Sequence, residues 1–103
     1  MAKLKTLATV TRLVTAIKKG LKEAGIPAEV DFEHVRGTRL HRVYVVAPKF
    51  RALPPSERQN LVWRIANTVL SPEEQLRVSM ILTLTPDELG ERRRITRASR
   101  SAG

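Results

Sequence analysis

FRALPPSERQNLVWRIANTVLSPEE, residues 50–74, lies between two strand-like segments, and its reading decides the topology. Leu61, Val62, Ile65, Val69 and Leu70 recur at helical spacing and form one apolar stripe. Pro54 and Pro55 stand at its start, where a missing N–H costs little because first-turn amides have no intrahelical acceptor. Ser71 and Glu74 have the spacing of a capping box with Pro72 at the first helical position, so a second, short helical turn follows. Trp63 and Arg64 fall at the edge of the stripe, and Arg58 and Gln59 add polar groups to the same helix. That polar edge either holds the domain together or meets a partner.

The flanks read as strands. AEVDFEHV, residues 28–35, alternates: Ala28, Val30, Phe32 and His34 point one way, and Glu29, Asp31, Glu33 and Val35 the other. RGTR at 36–39 supplies a turn glycine, and LHRVYVVA at 40–47 returns as the second strand of a hairpin that Pro48 ends. Downstream, RVSMILTL at 77–84 reads as a third strand, with Val78, Met80 and Leu82 on one face and Ser79, Ile81 and Thr83 on the other. Thr85 and Glu88 form a second capping box around Pro86, and the last helix is predicted to end near Gly90 or to fray into the arginines.

Upstream, Leu7, Val10, Leu13, Val14, Ile17 and Leu21 mark an amphipathic helix with Thr6 or Thr9 as its start. Gly25 and Pro27 close it, and Gly20 inside it costs about 1 kcal/mol relative to Ala. Lys18, Lys19 and Lys22 form its solvated side near the negative end of the helix dipole. The order is therefore αββαβα. It predicts an α+β domain with a three-stranded sheet and helices packed on one face. If the third strand runs parallel to a hairpin strand, the helix of 50–74 is the right-handed crossover. Residues 1–90 are predicted to form one domain and 91–103 a basic, disordered tail without apolar periodicity.

Composition narrows the function. The 103-residue chain has no cysteine, which removes thiolate metal sites and cysteine catalysis and suits a reducing, cytoplasmic setting. No window is apolar enough to span a membrane, and the N-terminus does not resemble a signal peptide. Net charge is +9, of which the last thirteen residues contribute +4 and the body +5, so a polyanionic partner is expected from more than the tail. His34 and His41 flank the hairpin turn, and no spaced carboxylate pair or nucleophile setting accompanies them, so the chain is read as a non-enzyme without a cofactor. Two imidazoles fall short of a closed metal site. No P-loop or dinucleotide fingerprint cradles a nucleotide. Arg36, Arg39, Arg42, Lys49 and Arg51 surround the turn and the loop after it, a set suited to phosphates rather than bases.

Together, VYVVAPKF, ERQNLVWRIANTVL and RVSMILTLTPDEL resemble the BolA-like family, over about Val10 to Leu89. The motif positions are Phe50, Arg58, Gln59, Thr85, Pro86 and Glu88. The resemblance implies an αββαβα domain of class II KH-like type, and for some members nucleic-acid binding as transcriptional or stress regulators. For other members it implies a [2Fe–2S] cluster shared with a monothiol glutaredoxin, held by a histidine near the last strand and a Cys or His from the hairpin loop. Arg77 stands at the first of those positions, and a guanidinium cannot ligate iron. His34 or His41 remains for the loop position. The leading expectation is a phosphate-contacting surface of Arg36, Arg39, Arg42, Arg51, Arg58, Arg64 and Arg77, with Arg92, Arg93, Arg94, Arg97 and Arg100 adding reach. The rivals are the glutaredoxin-partnered adaptor and a basic adaptor for an acidic protein.

Overall fold

The computed structural model describes the backbone of residues 2–92 and the side chains of residues 8–92. Helix α1 (Ala2–Glu23) leads into strands β1 (Glu29–His34) and β2 (His41–Val46). A 3-10 turn (Pro48–Ala52) precedes α2 (Pro55–Ala66), α3 (Pro72–Gln75) and β3 (Val78–Leu84), and residues 86–92 form a last helix, α4. The fold is α+β, with a mixed three-stranded sheet in the order β1-β2-β3. β1 and β2 pair antiparallel and β3 runs parallel to β2, which meets the condition under which the chain of 50–74 is a crossover.

The core lies between the sheet and α1 with α2. Leu13, Ile17 and Leu21 of α1 meet Val43 and Val45 of β2, Phe50 of the 3-10 turn, Val62 and Ala66 of α2, and Ile81 of β3, all buried. The predicted stripe of α2 is rotated by part of a turn. Val62, Ala66 and Leu70 are buried, while Leu61, Ile65 and Val69 are half-buried against the cluster. The reason is the approach of α1. A Cβ on Gly20 would lie 2.8 Å from Ile65 Cδ1, so the glycine expected only to weaken α1 lets the two helices close on each other.

The C-terminus of α1 follows the prediction. Gly25 has φ +78°, and Ile26 N–H donates to Leu21 O (2.8 Å) while Gly25 N–H donates to Lys22 O (3.0 Å), the pair of bonds of a Schellman ending. Its start does not. The helix is already formed at Ala2, and Thr9 lies inside it, its hydroxyl donating to Glu74 Oε2 at 3.0 Å. At the other end, α4 is helical through Gly90 to Arg92, the first of the arginines into which it was predicted to fray.

β3 also departs from strict alternation. A register shift beside His41 and Arg42 sets Val78 opposite His41 and Met80 opposite Arg42. Val78 therefore turns into the core with Ile81 and Thr83, and the Ser79 hydroxyl donates to His41 O at 3.2 Å. The face away from α1 and α2 carries three rows: Glu33, Arg42, Met80; Asp31, Tyr44, Leu82; and Glu29, Val46, Leu84. It is acidic along β1 and apolar along β3. Among the described residues, no helix is long and apolar enough to cross a membrane.

Candidate nucleic-acid interface

The strand directions place six of the seven arginines at two ends of the sheet. Arg36 and Arg39 lie in the β1–β2 turn, and Arg77 lies beside it because His41 N–H donates to Arg77 O at 2.9 Å. α2 runs antiparallel to the strands that it connects, so Arg64 in its last turn approaches the same end. Arg51 and Arg58 lie at the opposite end, where β2 and β3 finish. β2 separates the two ends by roughly 17 Å at about 3.3 Å per residue.

At that opposite end the guanidinium of Arg58 is committed. Arg58 is 6% exposed and cannot be the surface contact predicted for it. Its Nε donates to Leu53 O (2.8 Å), its Nη1 donates to Glu88 Oε1 (2.8 Å) and reaches Thr83 O (3.5 Å), and its guanidinium carbon sits 5.8 Å from the centre of the Phe50 ring. Glu88 is fixed there by its own capping box. Thr85 N–H donates to Glu88 Oε1 (2.8 Å) and Glu88 N–H donates to Thr85 Oγ1 (3.2 Å). These bonds, the Thr85 amide foremost and Arg58 after it, hold the Glu88 carboxyl below the usual carboxylate range. Arg51 is paired with Asp87 on the surface.

Gln59 extends this work to the edge of the sheet. Ala47 N–H donates to Leu84 O, so by alternation the Ile81 and Thr83 carbonyls face away from β2. Gln59 Nε2 donates to Ile81 O at 2.8 Å and to Thr83 Oγ1 at 3.2 Å, and Trp63 Nε1 donates to Gln59 Oε1 at 3.2 Å. Arg58 and Gln59 thus cover the outer carbonyls of β3, which a bare edge strand would offer to another chain. The motif positions Phe50, Arg58, Gln59, Thr85 and Glu88 form one structural contact group, and Pro86 opens α4 beside it.

Arg42 lies on the open sheet face, its Nη1 donating to Glu33 Oε1 at 2.7 Å, while the Tyr44 hydroxyl donates to the same oxygen at 2.6 Å. The Tyr44 bond chiefly lowers the Glu33 pKa, helped by Arg42 and by the charge of Arg92 in α4. Three carboxylates line β1 on this face, so it repels phosphate.

Arg36, Arg39, Arg64 and Arg77 form no ion pair among the described residues. Arg36, Arg39 and Arg64 are exposed and Arg77 is half-buried. No family model, curated protein or solved structure matches the chain. The site therefore rests on its geometry. The turn that carries it is ordered: Val35 N–H donates to Leu40 O (2.9 Å), Thr38 N–H to Val35 O (3.1 Å) and Leu40 N–H to Thr38 Oγ1 (3.0 Å), while His34 Nε2–H donates to Thr38 O.

His34 and His41 face each other across the hairpin with ring centres 5.3 Å apart, and His41 makes an edge contact with Phe32 at 5.8 Å. Burial, and then the charge of His34, push the His41 pKa down. Its Nδ1 is buried with no hydrogen-bond partner among the described residues. No group of three or more His, Asp or Glu side chains among the described residues is placed to hold a metal ion. Arg92 is the one tail arginine within the described residues; Arg93, Arg94, Arg97 and Arg100 lie outside them, as does most of the predicted tail. The paired fates of Arg58 and Arg36 were hidden in the sequence. The second capping box was the available signal, because it fixes Glu88 at a helix start that the crossover helix can reach.

Proposed function

We propose that the chain is a non-enzymatic, BolA-like nucleic-acid-binding protein that acts in transcriptional or stress regulation. The observation that carries this reading is the gathering of the unpaired Arg36, Arg39, Arg64 and Arg77 at one end of the sheet, while Arg42, Arg51 and Arg58 are held by acids. Unpaired guanidinium groups meet phosphate without first losing a carboxylate partner. A net charge of +9 supports long-range attraction to a polyanion. A cytoplasmic location fits the cysteine-free composition. Purification of the full chain from its native cell, with and without nuclease, tests the reading. Nucleic acid that co-purifies and is released by salt supports it. A protein partner that persists after nuclease, with no nucleic acid bound, replaces it with the acidic-protein adaptor.

The adjacent His34 and His41 rings favour a second reading, an iron–sulfur adaptor that works with a monothiol glutaredoxin. Arg77 speaks against it, because that guanidinium stands where the resemblance requires an imidazole. Mixing the two proteins with iron, sulfide and glutathione should leave the glutaredoxin spectrum unchanged. A new spectrum abolished by His41→Ala would establish the adaptor.

A further inference from the structure

We propose that the hairpin tip is a preformed clamp for double-stranded nucleic acid, which seats Arg36 and Arg39 between the two phosphate ridges of a groove. The proposal rests on the nucleic-acid reading above and names the form of polyanion that the same site takes. Three observations carry it.

The first is the turn. Gly37 has φ +79° and no other residue of the turn has positive φ, so Val35–Thr38, closed by Thr38 N–H to Val35 O at 3.1 Å, is a type II turn with glycine at its third position. The Thr38 hydroxyl donates to Val35 O at 2.8 Å and accepts from Leu40 N–H at 3.0 Å. The arginines therefore leave a backbone that is ordered before any partner arrives, which lowers the entropic cost of binding.

The second is reach. β3 begins opposite His41, so the turn of residues 35–40, which joins β1 and β2 and is closed at its base by Val35 N–H to Leu40 O at 2.9 Å, projects past the end of the third strand. Paired strands lie about 4.8 Å apart, so a turn that joins them is narrower than a major groove about 12 Å wide. Arg77, at the base of the turn, adds a charge near the flanking backbone.

The third is the chemistry of the neighbouring face. A single strand is held by stacking its bases on an open platform. The sheet face away from α1 and α2 carries Glu29, Asp31 and Glu33 in one column, and the hydroxyl of its one aromatic, Tyr44, is bound to Glu33. Bases stacked there would carry their phosphates against three carboxylates. The tip meets no such obstacle, and it contacts the backbone without reading sequence.

The test uses the full chain, a short labelled duplex and one of its strands, titrated by fluorescence anisotropy at several salt concentrations. We expect the duplex to bind at least about tenfold more tightly than the strand. The double variant Arg36→Ala/Arg39→Ala should abolish that preference and reduce the log–log salt slope for the duplex by about 2. Gly37→Val keeps every charge and strains the positive-φ turn, so it should lower the preference as well. Arg51→Ala, at the far end, should leave it unchanged. Thermal melts confirm that each variant is folded. Equal affinity for the two forms, or a preference that survives in the double variant, overturns the clamp and leaves nucleic-acid binding standing. Binding of neither form at about 100 mM salt overturns both.

Discussion

Both ends of the sheet carry arginines and use them in opposite ways. Where β2 and β3 finish, Arg58 is buried among Leu53 O, Thr83 O and Glu88, and Arg51 is paired with Asp87. Where β1 turns into β2, Arg36 and Arg39 stand exposed without an acid. The residue type is the same, and the difference lies in what the fold delivers beside it. Two capped helices bring carboxylates: α4 presents Asp87 and Glu88 at one end, and α3 presents Glu74 to Arg12 of α1. No cap brings one to the hairpin. A cation that meets an acid in the core becomes structure, and one left in water stays available.

Arg58→Met is the strongest attempt to break this contrast. It removes the guanidinium from Glu88 and leaves the Leu53 carbonyl bare, so we expect a loss of roughly 2–4 kcal/mol, discounted from a fully buried pair because Glu88 is 45% exposed. Urea denaturation measures it, and a loss below about 0.5 kcal/mol would place Arg58 with the surface arginines.

Gln59→Ala comes next. It uncovers Ile81 O and half of the β3 edge at an expected cost of about 1 kcal/mol. The sharper sign is self-association, read by sedimentation or light scattering, because the exposed edge then accepts a second strand. A variant that stays monomeric at high concentration would show that Arg58 alone guards the edge.

Acid separates the regions through their titrating groups. Glu74 is lowered to about 2 by the Ser71 amide first and then by Arg12 and Thr9, and Glu88 and Glu33 are also lowered. A carboxyl with a depressed folded pKa gives stability that is present above its ordinary value of 4.5 and is lost as pH falls toward the folded value. His41 is lowered as well, so its contribution begins to fall below pH 6.5, its ordinary value. Denaturation midpoints should therefore decline in two stages, from 6.5 downward at the hairpin and from 4.5 downward at the caps. His41→Gln should remove the first stage and Glu74→Gln should flatten the second. A profile that is unchanged in both variants would remove these groups from the account.

The smallest expected effect on stability is that of Arg36→Ala/Arg39→Ala, within about 0.5 kcal/mol of the parent, since neither side chain has an ion-pair partner. The same denaturation series measures it. A loss as large as that of Arg58→Met would mean that the tip is structural and the contrast between the two ends false.

Much of the fold was legible. Helical spacing, two capping boxes, the Gly25 ending and strand alternation gave the element order, while the direction of β3 was left open and its parallel pairing with β2 came from the packed sheet. The phase of α2 was not legible, because it depends on Gly20 meeting Ile65 across 45 residues. Nor was the face of Val78, which a register shift against β2 turned inward. Of the candidate surface, Arg36, Arg39, Arg64 and Arg77 keep the exposure or partial exposure that a contact needs, and Arg42, Arg51 and Arg58 do not remain free.

By itself the sequence determined what is local: where helices start and stop, which residues alternate, and how much positive charge the chain carries. The tertiary structure decided which charges remain. Arg58 finds Glu88 thirty positions away, and Arg51 finds Asp87 thirty-six away. Such pairs form only when separate elements are packed, because an ion pair is set by distance in space and by burial, and neither is written in the spacing of residues along one element.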